Sequence, residues 1–162
     1  MMFVSPRLKL SLVTTHIPLK DVLRELTPEK VHNTVLKTHK ALQVYFGMEQ
    51  PRIGVCGLNP HAGEEGLLGS EEREWLIPTL DSLRKEGISI TGPLSPDTAF
   101  VHPERFDALI SLYHDQGLAP FKALTFYQSC QMTLGLPFVR TSVDHGTAKD
   151  IVGKNCADYR TL

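Results

Sequence analysis

Apolar and polar residues alternate along Leu8-Lys9-Leu10-Ser11-Leu12, a period of two that predicts a strand running on into Val13-Thr14-Thr15-His16. The period then lengthens. Val31, Val35, Leu42, Tyr45 and Phe46 recur at near-helical spacing, with a start signal in Thr27-Pro28-Glu29 and a stop at Gly47. Thr27 serves as N-cap, Pro28 takes the first position where no amide bond is lost, and Glu29 sits near the positive end. Arg52-Ile53-Gly54-Val55-Cys56-Gly57-Leu58 predicts a second strand, leading straight into Asn59-Pro60-His61. Gly69-Ser70-Glu71-Glu72 opens another helix carrying Trp75, Leu76, Leu80 and Leu83, in which Pro78 either kinks the helix or marks its first turn. Gly87-Ile88-Ser89-Ile90 and Phe106-Asp107-Ala108-Leu109-Ile110-Ser111-Leu112 predict further strands, and Gly135-Leu136-Pro137-Phe138-Val139-Arg140 one more extended segment. Strands alternating with helices predict an α/β fold, a sheet flanked by helices.

Size and charge narrow the classes. A chain of 162 residues is enough for one domain with a real core and too short for two comfortable ones. Seventeen basic residues against eighteen acidic ones leave a net charge of −1, without the basic footprint that nucleic-acid binding needs. No apolar run approaches the ~20 residues of a membrane span. The opening residues lack the long apolar core and cleavage site of a signal peptide. Cys56, Cys130 and Cys156 are widely spaced, with no Cys-x-x-Cys, which reads as reduced thiols in a cytoplasm.

Three histidines carry the candidate chemistry. They occur in Thr15-His16-Ile17-Pro18, Asn59-Pro60-His61-Ala62-Gly63-Glu64 and Tyr113-His114-Asp115-Gln116-Gly117, each following an apolar run at the predicted carboxyl end of a strand. Open α/β sheets collect their ligands at those ends. Neutral imidazole is the commonest protein ligand for a divalent transition metal, and three with an open position suit a catalytic site. His32 and His39, seven residues apart on the polar side of the first long helix, read as a solvated face, and His102 as surface.

With those strings in place, the chain resembles the 4-hydroxythreonine-4-phosphate dehydrogenase family of vitamin B6 biosynthesis. The matching words are Leu12-Val13-Thr14-Thr15-His16-Ile17-Pro18-Leu19, Gly57-Leu58-Asn59-Pro60-His61-Ala62-Gly63-Glu64, Tyr113-His114-Asp115-Gln116-Gly117-Leu118 and Arg140-Thr141-Ser142-Val143-Asp144-His145-Gly146-Thr147-Ala148. The resemblance implies one divalent metal held by His16, His61 and His114, with ligands contributed across a homodimer interface. Zinc, cobalt, magnesium and manganese all stay open. It also implies oxidation of the hydroxyl of 4-phosphohydroxy-L-threonine by NAD (or NADP), followed by loss of carbon dioxide from the β-keto acid. Lys122 and Arg140 match substrate-binding residues of the family, Lys122 being a candidate catalytic residue as well, and a guanidinium fork suits phosphate or carboxylate. Asp115 is a candidate for moving a proton or for orienting a histidine.

A second likeness reaches further. Residues 145–154, His145-Gly146-Thr147-Ala148-Lys149-Asp150-Ile151-Val152-Gly153-Lys154, look like the loop that receives the adenosine end of NAD in isocitrate and isopropylmalate dehydrogenases. It implies cofactor contacts at Asp144, His145, Gly146 and Asp150, and an isocitrate/isopropylmalate dehydrogenase-like fold. No Gly-x-Gly-x-x-Gly follows a strand, so the usual dinucleotide fingerprint is absent. On the family's pattern, residues 1–140 form the metal-carrying, dimer-forming α/β domain of a two-domain fold. Residues 141–162 begin the return toward the other domain, and the family's N-terminal half is absent.

Two departures set alternatives. Typical members are about twice this length, which admits a metal-binding dimeric remnant without catalysis. The family's Phe-Gly-x-Gly-Val-Asn is here Phe126-Tyr127-Gln128-Ser129-Cys130-Gln131. Gln131 stands where the family has a substrate-contacting asparagine. Tyr127 and Ser129 replace glycines and would be strained if either position needs positive φ. This change admits a dehydrogenase for another four-carbon phosphorylated hydroxy acid, threonate or erythronate phosphate.

Overall fold

The computed structural model describes residues 1–143, 146 and 148–158. Its strands are β1 Met2–Val4, β2 Lys9–Leu12, β3 Ile53–Cys56, β4 Ile90–Leu94, β5 Ala108–Ser111, β6 Cys130–Met132 and β7 Thr141–Ser142. Among the described residues these form one sheet in the order β4-β3-β5-β2-β1-β6-β7. β4, β3, β5 and β2 run parallel, whereas β2-β1, β1-β6 and β6-β7 pair antiparallel. The helices are α1 Leu19–Glu25, α2 Pro28–Phe46, α3 Ile77–Lys85 and α4 His114–Thr125.

The helix signals work as the residues predict. Thr27 Oγ1 accepts the amide of Lys30 at 3.2 Å, and Gly47 closes α2 at φ 67°, donating its amide toward Gln43 and Leu42. Pro78 falls in the first turn of α3. A wider turn over Glu72–Leu76 precedes it, with the Ile77 amide reaching back to the Glu72 carbonyl, and this accommodates the amide that proline lacks.

Strand alternation divides the core between the two faces. Ile110 and Leu112 meet Val31, Val35 and Leu42 of α2 and Leu80 and Leu83 of α3. Leu109 joins Phe3, Leu10, Leu118 and Phe121 on the opposite face, under α4. Ser11 points to the α2 side, where the Thr38 hydroxyl donates to its Oγ at 2.8 Å, so neither buried oxygen is orphaned.

Several expectations are corrected. Gly135–Arg140 is not a strand; Gly135 turns the chain at φ 86°, Pro137 has no amide to pair, and the true strands flank this bend as β6 and β7. Pairing in the segment expected at Gly87–Ile90 begins only at Ile90. β1, α1 and α4 have no counterpart in the hydrophobic pattern: β1 is three residues long, and α4 begins on a histidine string that reads as loop. His39 does not lie on a solvated face. It is half-buried, its Nδ1 has no hydrogen-bond partner, and burial holds its pKa below the ordinary value.

Candidate active site

Because β3, β5 and β2 are parallel neighbours, their carboxyl ends lie along one sheet edge, and these ends lead into His61, His114 and His16. The pairing of β2 with β5 continues past both strands. The Val13 amide donates to the Ser111 carbonyl at 3.0 Å, and the Thr14 amide and hydroxyl both donate to the Leu112 carbonyl, at 3.1 and 2.8 Å. His16 and His114 each lie two residues beyond the paired Thr14 and Leu112. Their rings consequently sit side by side, with centroids 5.4 Å apart.

Both imidazoles open onto a cavity of about 530 Å³ whose wall also includes Phe3, Leu118, Lys122, Gln131 and Gly146. His114, Leu118 and Lys122 share this wall because they recur every four residues along α4. Gln131 reaches it from β6, opposite Phe3 of β1. The Asp115 carboxylate engages His114 Nδ1 at 2.7 Å, which assigns any ligation by His114 to Nε2. A carboxylate fixing the tautomer of an imidazole in this way is the usual support of a metal-binding histidine. The donor set at this edge thus fits a divalent ion in chemistry, with two histidines placed together.

The third histidine is placed apart from them. His61 lies in a turn over Pro60–Gly66 whose residues 61–65 all have positive φ, from 41° to 79°. Four of these five are not glycine, and left-handed backbone costs roughly 1–2 kcal/mol per such residue. The His61 ring is 62% exposed, 3.5 Å from Ser95 Oγ and 4.0 Å from Asp97 Oδ2. The Ser95 hydroxyl, more than His61, holds Asp97 below the usual carboxylate range. Among the described residues, no three His, Cys, Asp or Glu side chains of one chain are grouped to hold an ion.

The other expected residues are distributed unevenly. Arg140 is exposed and outside the cavity wall; its Nη1 donates to Thr133 Oγ1 at 2.8 Å, and Gln131 Nε2 reaches the same oxygen at 3.4 Å. Gly146 lines the cavity with nothing within 4 Å of its would-be Cβ. Asp150 is exposed in the short turn Lys149–Ile151. Asp144 and His145 lie outside the described residues. Ser129 is extended at φ −127°, and Tyr127 is not among the positive-φ residues, so losing two glycines strains neither position. Burial pushes the Cys56 thiol up to about 11, against the opposing effect of the Ser111 hydroxyl, which leaves no nucleophile there.

Two residues of this edge escape a reading of the chain. Gln116 accepts the Leu112 amide and donates to the Gly57 carbonyl, both at 2.7 Å, joining the ends of β5 and β3. Its sequence signal is its place inside the His114 string. Glu72, 1% exposed, accepts the Leu58 and Asn59 amides at 2.8 and 2.7 Å. Its only sequence cue is a helix-opening acidic pair, which ordinarily marks an exposed first turn.

A half-parallel sheet with histidines, a lysine and an amide gathered at its carboxyl edge has the arrangement in which open α/β sheets collect their ligands. The chain belongs to the family described as pyridoxal phosphate biosynthetic protein PdxA, which it matches over residues 1–162. It is 49% identical over 158 residues to a 4-hydroxythreonine-4-phosphate dehydrogenase of Sulfurihydrogenibium sp. (strain YO3AOP1), covering 98% of this chain and 49% of that protein. It is 50% identical over 165 residues to a D-threonate 4-phosphate dehydrogenase of Cupriavidus necator, covering all of this chain. A crystal structure of a 4-hydroxythreonine-4-phosphate dehydrogenase from Burkholderia phymatum superposes with a TM-score of 0.85 at 46% identity, over 99% of this chain and 49% of that one. The chain spans about half the length of the curated relatives it matches.

Proposed function

We propose that this chain is the metal-carrying half of a nicotinamide-dependent dehydrogenase that oxidises 4-phosphohydroxy-L-threonine, with decarboxylation of the product. The observation that carries the reading is the pairing of His16 with His114 on one cavity wall that also presents Lys122 and Gln131. Lys122 supplies a cation for the substrate's phosphate or carboxylate, and Gln131 an amide that both donates and accepts. Phe3 and Leu118 line the cavity's apolar side and keep water from it. Asp115 holds the His114 ring in one tautomer. When bound, a divalent ion favours ionisation of a nearby hydroxyl, and NAD or NADP accepts the hydride. Gly146 and Asp150, with Asp144 and His145 outside the described residues, take the adenosine end of the cofactor. No helix among the described residues is long and apolar enough to cross a membrane.

The separation of His61 from the other two histidines supports a shared site: His16 and His114 of one copy, completed by His61 of a second copy in a homodimer. Subunit mixing tests this. H61A and H16A alone should each lose zinc. Mixed and reassembled, they should recover about a quarter of the wild-type sites, since half the dimers are mixed and each mixed dimer keeps one intact set. Zinc retention by unmixed H61A would reject the ligand, and no recovery on mixing would reject the sharing.

A second substrate, D-threonate 4-phosphate, is favoured by the Cupriavidus necator relative together with the altered 127–131 segment, where Tyr127 stands 58% exposed. Calorimetric titration of both phosphorylated acids into zinc-loaded protein separates the two. Binding of neither would favour a metal-carrying dimer without catalysis.

A further inference from the structure

We infer that Glu72 is the positioning residue for His61, acting through the backbone on both sides of that histidine; the inference rests on reading His61 as a metal ligand. His61 is presented at the surface by a left-handed turn, a conformation its own residues do not favour. Contacts from outside the turn offset that cost: Arg73 Nη1 donates to the Glu65 carbonyl at 3.0 Å, and Glu72 binds the backbone that enters it. The turn closes its own three-residue backbone bonds, and at its ends the Ala62 amide reaches the Asn59 carbonyl while the Leu67 and Leu68 amides reach the Glu64 and Gly63 carbonyls.

Glu72 supplies the hold from the wide turn that precedes α3. Its Oε1 accepts the amides of Leu58 and Asn59, and its Oε2 accepts Asn59 Nδ2 at 2.8 Å. Asn59 Nδ2 is also engaged by Glu71 Oε2 at 2.8 Å, which prevents the amide from turning over. On the far side of His61, Gly63 lies directly on the carboxylate, since a Cβ there would stand 2.8 Å from Glu72 Oε2. Gly57 is close as well, its would-be Cβ 3.2 Å from Oε1 and 2.8 Å from Ala62 Cα. One buried carboxylate thus spans the turn from residue 57 to residue 63, with His61 between its two points of contact. A Cβ at 63 would displace the carboxylate, and one at 57 would first strike Ala62 within the turn.

Zinc titration by calorimetry on the whole chain tests this, with circular dichroism and sedimentation confirming fold and assembly. H61A should weaken zinc binding severely. E72A should weaken it about 10- to 100-fold, as loss of a ligand's supporting hydrogen bonds typically does. E72Q should weaken it about tenfold: its Oε1 keeps the two backbone amides, but its NH2 opposes Asn59 Nδ2, which cannot flip. With cobalt in place of zinc, the visible spectrum of E72Q should shift, a change that simple loss of stability does not produce. Wild-type affinity in H61A would remove the ligand reading on which the inference stands. Impaired H61A beside a folded E72A or E72Q of wild-type affinity and unchanged cobalt spectrum would overturn the role of Glu72 itself.

Discussion

The loops bearing His114 and His61 occupy equivalent places, at the carboxyl ends of adjacent parallel strands, yet they are held by different means. His114 stands at the head of α4, and Leu112 before it is tied to Thr14 by sheet-like bonds, so the ladder of β2 and β5 extends almost to the imidazole. Regular secondary structure supports it on both sides. His61 is carried by a left-handed turn, which a later segment braces through the buried Glu72 carboxylate and through Arg73 Nη1 on the Glu65 carbonyl. The first support lies in the backbone bonds of sheet and helix, and the second leans on the side chains of Glu72 and Arg73. Backbone support should tolerate the loss of a side chain and fail only when the helix itself is unseated, whereas side-chain support should weaken as soon as its side chain is cut back.

The largest expected effect comes from forcing the backbone-supported side. A Cβ on Gly117 would stand 2.7 Å from Ser111 Oγ and 2.9 Å from Leu10 Cδ2, so Gly117→Val should lift α4 off the sheet. We expect a loss of about 3 kcal/mol in urea unfolding, together with loss of zinc, because His114 moves with its helix. Unchanged stability would mean that α4 is not seated as described.

Gln116→Ala severs a side chain that joins the ends of β5 and β3, releasing the Leu112 amide and the Gly57 carbonyl. About 2 kcal/mol of stability should be lost, with zinc affinity falling in parallel. A variant that loses stability but binds zinc normally would show the two loops to be independent.

The smallest effect belongs to the opposite ends of the same strands. Asp107 accepts the Arg52 amide at 2.7 Å and meets its guanidinium through both oxygens, and that hydrogen bonding holds its carboxyl below the usual range. A carboxylate with a lowered folded pKa stabilises fully above its unfolded pKa, and this contribution fades as pH falls through the lower folded value. Asp107→Ala should therefore cost about 1 kcal/mol near neutrality, allowing for solvent screening of the pair. The gap from wild type should close in acid, and zinc affinity should be untouched. A urea-midpoint series against pH reads the first two, and a gap that widens in acid would reverse the assignment.

Much of this was legible in the order of residues. α2 carries its boundaries in Thr27, Pro28 and Gly47, and Leu10 and Leu12 declare β2 by alternation. The three histidine strings announced their strand ends because an apolar run that stops at Gly, Pro or a small residue is a local signal. Gly135–Arg140 misled because Val139 and Phe138 resemble a strand, although both are exposed in a bend. β1 was invisible, since three residues are too few to show a period.

Residue order alone settled the class of fold, the family and the candidate ligands, because periodicity, caps and long motifs are written in neighbours. Which histidines meet was decided by the sheet order, which inserts β5 between β3 and β2 and so places His16 beside His114. The buried state of Glu72 was decided there too, as was the placing of His61 in a left-handed turn whose entrance is bonded by a residue fourteen positions from Leu58. Contacts of that range depend on chain crossovers, and no local pattern of polarity records them.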